Sequence, residues 1–258
     1  MSQPSHTPQE PPCAPPPSPQ QAEQAPAFNA PLPVLLTIAV FVLVHLWRTQ
    51  WLTPQADERL LATFALIPAL YDAWWHGAPL QRLPADGLSL LLAPFGHFFL
   101  HANWPHVIMN SLWLLVFGTP VARRLGTPRF LALALLSAAI GALAFVLLHW
   151  GANTMLLGAS GGVSGLMGAA VRLIYAHNLP LTVGLRCDMR RVRPLTFMQA
   201  LSLPGPRQFV LVWIGINLVI SFIGLGAGSG MERIAGDVHI AGFFAGMALL
   251  GPLDHSRA

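Results

Sequence analysis

Six apolar runs, near residues 33–52, 104–121, 129–149, 158–176, 209–226 and 235–252, are long enough to cross the hydrocarbon core of a bilayer, which takes roughly 17 to 25 helical residues. That feature leaves little room for a soluble fold. With 54% hydrophobic and 9% charged residues, and a mean hydropathy of +0.56, the chain is far too apolar for an ordinary soluble domain of its length. The expected fold class is an all-α, polytopic membrane protein with six transmembrane helices.

The net charge of +4 rests entirely on arginine, since the chain has no lysine. Most of these arginines fall between apolar runs: Arg123, Arg124 and Arg129 between the second and third, and Arg172, Arg186, Arg190, Arg191, Arg193 and Arg207 at or between the fourth and fifth. Basic clusters of this kind orient a membrane protein and mark both connections as cytoplasmic. Six spans then place both termini inside and the connections at 150–157 and 227–234 outside. Orientation accounts for the arginines, and no nucleic-acid partner is expected.

Residues 1–30 are rich in Pro, Gln and Ala without an apolar run, so a disordered tail is expected there. The transmembrane domain is expected over 31–252, with a short cytoplasmic tail at 253–258. The first span lacks the pattern of a cleaved signal and reads as a retained helix. Cys13 and Cys187 both fall on the side where thiols stay reduced, so neither a disulfide nor a cysteine metal site is expected.

Polar side chains within spans are costly and therefore candidates for function. Three places stand out. In the first, Asn103 and Pro105 predict a helix start, after which His106 and Asn110, at i and i+4, share a face. The second is Gly158-Ala159-Ser160-Gly161-Gly162-Val163-Ser164-Gly165-Leu166-Met167-Gly168, where a serine opens the fourth span and Gly161, Gly165 and Gly168 allow close helix approach. The third is the last span, where Gly242 and Gly246 follow His239 on one face. With termini inside, the second, fourth and sixth spans all run from the outer surface inward. His106, Asn110, Ser160 and His239 are then expected to converge in one layer just below that surface, each residue adding about 1.5 Å of depth.

Each residue also has a plainer reading. A serine in a membrane helix commonly bonds a carbonyl one turn back, and histidines near an interface, such as His45 and His149, are commonly solvated or packed. Four polar groups at one depth on three helices are harder to assign to packing, because each needs a partner. His97, His101 and His106 lack a carboxylate or thiol that would complete a metal site, and no metal is expected. Asp237 lies two residues before His239, which turns it to another side of the helix; it reads as an interfacial or capping residue. Trp47, Trp51, Trp74, Trp75, Trp104 and Trp150 suit membrane-interface anchoring.

The linked motifs His101-xxxx-His106-xxx-Asn110, Gly158-Ala159-Ser160-Gly161 and His239-xx-Gly242-xxx-Gly246 resemble those of the rhomboid proteases in order, spacing and span number, over roughly residues 31–252. The resemblance implies a helical bundle whose site opens to water from the outer side, with residues 53–102 as a large outer loop and substrate helices entering sideways past the fifth span. It implies Ser160 as nucleophile, His239 as its general base, and His106 and Asn110 as oxyanion-stabilising groups. The sequence departs from the family at Ser164, where an aromatic residue often follows the nucleophile by one turn, so packing beneath His239 is expected to differ. The connection at 177–207 is longer than a minimal rhomboid needs.

The expected activity is therefore intramembrane serine endopeptidase action on transmembrane segments of other membrane proteins, in a bacterial inner membrane, with no cofactor and with lipid as surroundings. Two rivals make different predictions. An inactive rhomboid-like protein that binds membrane clients would lack the Ser or the His, and both are present. A channel or transporter would continue the polar cluster toward the cytoplasmic face, where these spans offer few polar groups.

Overall fold

The computed structural model describes residues 30–177, 189–190, 192–223 and 236–254. In chain order its helices are α1 (Leu32–Trp51), α2 (Pro54–Phe64), α3 (Pro68–Trp75), α4 (Ser89–Gly96), α5 (Trp104–Leu125), α6 (Thr127–Leu148), α7 (Ser160–Ile174), α8 (Phe197–Ser202), α9 (Pro204–Ile223) and α10 (Gly236–Leu253). Among the described residues the fold is all-α, and the one β-type pairing is a bridge between Leu66 and Leu156. That bridge fastens the loop after α2 to the connection leading into α7.

Among the described residues four helices, α1, α5, α6 and α10, are long and apolar enough to cross a membrane. The fourth expected span is shorter than its apolar run suggests. α7 has 15 residues, or about 22 Å at 1.5 Å per residue, against roughly 30 Å of hydrocarbon. Its surroundings explain how so short a helix is tolerated: every residue from Gly161 to Ile174 is buried by protein, so its ends need not reach both lipid surfaces. α9, with 20 residues, begins before the expected fifth run at 209. α5 continues past the expected end at 121 despite Pro120, by way of a π turn over Leu114–Gly118. Such local adjustments accommodate proline where no water can bond the freed carbonyls.

Glycine determines how α7 meets its neighbours. Lipid tails are as apolar as leucine, so helices in a bilayer associate through close packing more than through the hydrophobic effect. A methyl at Gly246 would fall on the Gly165 carbonyl, and one at Gly242 on the Gly161 carbonyl. Gly168 is closed by the Phe243 carbonyl in the same way. On the other side of α7, Gly162 lies against the Ala134 carbonyl of α6, 2.6 Å from where a Cβ would stand.

Because the Gly246 contact is backbone on backbone, Gly246→Ala must force α7 and α10 apart. The expected cost is about 1–3 kcal/mol, the usual range for overpacking. In α9, nothing lies within 4 Å of the place a methyl on Gly215 would take, and Gly215→Ala should be neutral or slightly stabilising. Thermal unfolding midpoints in detergent check the pair; equal midpoints would remove the packing argument.

Several arginines read as orientation signals also tie the bundle together. Arg124 meets Asp254 at 2.9 Å, both side chains being buried, and its Nη1 donates to the Met189 carbonyl. Arg172 donates from Nε to the Leu195 carbonyl and from Nη1 to the Met247 carbonyl, each at 2.6 Å. At the end of the chain's last helix, α10 includes Leu253, and Asp254 is buried. Residues 1–29, 178–188, 191, 224–235 and 255–258, with Cys13, Cys187 and the whole of the expected 227–234 connection, lie outside the described residues.

Candidate active site

α5, α7 and α10 begin at the same end of the bundle, each with a polar side chain near its start. The Asn103 side chain caps α5 by accepting the His106 N–H at 2.9 Å. Pro105 occupies the first turn, where a missing N–H costs little. His106 and Asn110 then face the connection into α7 at Gly158, which has φ +111°, a conformation open in practice only to glycine. A Cβ at Gly158 would stand 2.6 Å from His106 Nε2 and 3.6 Å from Asn110 Nδ2. Both side chains therefore converge on the backbone two residues before Ser160. Asn110 is buried, and its Nδ2 has no hydrogen-bond partner among the described residues.

A second layer holds His106 in place. His101 packs edge-on against it, ring centroids 5.1 Å apart. The His101 carbonyl in turn accepts Arg48 Nη1 at 3.0 Å and lies 3.1 Å from His45 Nδ1. Arg48 is itself paired with Asp57 at 2.7 Å, which links α1, α2 and the approach to α5. Burial pushes the His101 imidazole down to about 3, so it meets His106 as a neutral ring. His45, buried against Trp104 at 4.7 Å, is a packing residue.

Ser160 is the first residue of α7, and the Ala159 carbonyl accepts the Val163 N–H at 2.9 Å. The N–H groups of Ser160 and Gly161 thus have no partner within their own helix. They form the positive end of its dipole. Ser160 is half-buried, whereas Ser164, one turn on, is buried within the bundle.

His239 lies in the first turn of α10, and its depth is matched to Ser160 by the glycine contacts. Gly161 abuts Val238, with Val238 Cγ1 2.9 Å from the position of an added Cβ, and Gly242 abuts Gly161. The neighbours of Ser160 and His239 in sequence are thus in contact. Among the described residues no hydrogen bond joins the Ser160 and His239 side chains; such bonds are often long until substrate is bound.

His239 Nδ1 instead lies 2.7 Å from Oδ1 of Asn217 on α9. Trp213, one turn earlier on α9, stands 6.5 Å from the His239 ring at 31°, so an aromatic neighbour comes from α9 where Ser164 offers none. Asp237 turns away from His239 and lies 3.6 Å from His149 Nδ1. Asn217 is the residue that sequence reasoning passes over. Its signal is a lone amide within the apolar run 209–226, of the same kind as the clusters singled out elsewhere.

A family model described as the Rhomboid domain matches residues 91–253, more than half of the chain. It begins within α4, leaving α1 to α3 outside the match. The rhomboid protease GlpG of Pectobacterium atrosepticum is 38% identical over 86 residues, which cover 33% of this chain and 30% of that protein. The matched stretch therefore spans less than a third of that relative's length.

Proposed function

The chain belongs to the rhomboid family, and from that premise we propose that it is an intramembrane serine endopeptidase with Ser160 as nucleophile and His239 as general base. The observation that carries this reading is the convergence at Gly158: His106 and Asn110 meet the backbone that leads directly into Ser160. A peptide carbonyl attacked by Ser160 would then find oxyanion donors around it. These are the Ser160 N–H at the start of α7, Asn110 Nδ2 and His106.

In the proposed mechanism Ser160 Oγ attacks the scissile carbonyl while His239 takes the hydroxyl proton. The tetrahedral intermediate collapses as His239 returns that proton to the leaving amine, leaving an acyl-enzyme on Ser160. Water, deprotonated by His239, then attacks the ester and releases the second product. The substrates we propose are transmembrane segments of other membrane proteins, and lipid is the surrounding medium. No step calls for a cofactor, metal or nucleic acid. The arginine distribution supports a bacterial inner-membrane orientation with cytoplasmic termini, and with it a catalytic end of the bundle at the outer face.

A fluorophosphonate probe on the detergent-purified protein tests the nucleophile. Ser164 repeats the Gly-x-Ser-Gly pattern, but it is buried and lies about 6 Å further along the helix, away from the unpaired N–H groups. The adduct, mapped by mass spectrometry, is expected on Ser160, and Ser164→Ala should still be labelled. An adduct on Ser164 would reverse the assignment. An inserted, folded protein that takes no label would shift the reading to an inactive client-binding rhomboid.

A further inference from the structure

We propose that Asn217 is a positioning residue for the general base, holding His239 in the tautomer that carries its proton on Nδ1 and leaves Nε2 free to accept the Ser160 proton. The proposal rests on the reading of Ser160 and His239 as nucleophile and base. Its own ground is the hydrogen-bond chain from α9 to α10. Asn217 Nδ2 donates to the Trp213 carbonyl at 2.8 Å. A carbonyl only accepts and an amide nitrogen only donates, so this bond determines which way the Asn217 amide faces. Its Oδ1 is thereby turned to His239 Nδ1, 2.7 Å away. Since Oδ1 only accepts, Nδ1 must be the donor, and the lone pair of the neutral ring is left on Nε2.

The remaining surroundings support the same role. Asn217 is 1% exposed, so bulk water does not compete for its oxygen. The acid nearest His239 in sequence, Asp237, faces His149 instead. An amide orients the imidazole without placing a second charge in an apolar span, where an unpaired carboxylate would be costly. Trp213 and Asn217 lie four residues apart on α9, so that helix supplies both a ring beside His239 and the acceptor for its Nδ1.

The test compares kcat, KM and the pH profile of wild type, Asn217→Ala, Asn217→Asp and Ser160→Ala on a model transmembrane substrate in proteoliposomes. Asn217→Ala is expected to lower kcat roughly ten- to a hundredfold, a partial loss of general-base action, with KM within twofold. It should also move the acid limb to lower pH, because the imidazolium loses an acceptor. Asn217→Asp should recover most of the rate and move the acid limb to higher pH, because a carboxylate stabilises the imidazolium. If the alanine variant does not fold, the acid limb of Asn217→Asp decides alone. An unmoved acid limb in both variants, or equal losses in both without rescue, would reduce Asn217 to a packing residue and overturn the proposal. A Ser160→Ala protein that still cleaves would overturn the underlying site instead, so the two failures are distinguishable.

Discussion

Ser160→Ala and His239→Ala are each expected to abolish cleavage of a transmembrane substrate, with rates falling roughly ten-thousandfold or more, while the protein still inserts and folds. The geometry explains why the folding cost should be small. Ser160 is the first residue of α7 and only half-buried, so its hydroxyl can be removed without opening the core. The contacts that join α7 to α10 are made by Gly161, Gly165, Gly168, Gly242 and Gly246, which neither substitution touches. Nucleophile and base act on one proton in one step, so the double variant should be little slower than either single variant. Losses that simply multiply would mean that the two residues serve different steps. Near-wild-type turnover in either single variant would end the proposed mechanism.

Removing the oxyanion donors should produce the second-largest effect. His106→Ala and Asn110→Ala are each expected to lower kcat by up to about a hundred- to a thousandfold, equivalent to roughly 2.7–4 kcal/mol of barrier, with KM little changed. The split follows from where charge develops. The ground-state carbonyl asks little of these donors, whereas the tetrahedral oxyanion needs them fully. Asn110 Nδ2 is buried with no protein partner among the described residues, so an incoming oxyanion would give it the acceptor it lacks. Gly158→Ala should reproduce part of this loss from the opposite side. Its methyl would meet the His106 ring and would require a left-handed backbone at a non-glycine residue. Steady-state kinetics on purified variants decide the matter: higher KM with unchanged kcat would reassign His106 and Asn110 to substrate binding.

Much of the candidate site's local structure is legible in the amino-acid sequence alone, because its signals are local. Asn103 and Pro105 mark a helix start through their own backbone chemistry, and α5 does begin there. The glycines at 161, 165, 168, 242 and 246 declare faces without side chains, and those faces meet. Two features escape a local reading. The apolar run at 158–176 is long enough to suggest a span on its own, yet α7 occupies 160–174 and relies on being enclosed by protein. Asp254 carries no local sign of its partner, which is Arg124, 130 residues away in sequence, in a buried ion pair.

By itself the sequence determined that the chain is a polytopic helical membrane protein, where most of its spans lie, and which polar residues stand at the starts of three helices. Hydropathy, caps and glycine spacing are properties of neighbouring residues, and the chain displays them whether or not it has folded. Only the tertiary structure decided which polar group meets which. Asp237 lies two residues from His239 but turns to His149, while Asn217, 22 residues distant on another helix, supplies the oxygen that His239 Nδ1 meets. The physical reason is rotational. A single polar residue in an apolar helix carries no sign of the direction it faces, and that direction is settled only when α9 and α10 pack and a buried amide must find its partners.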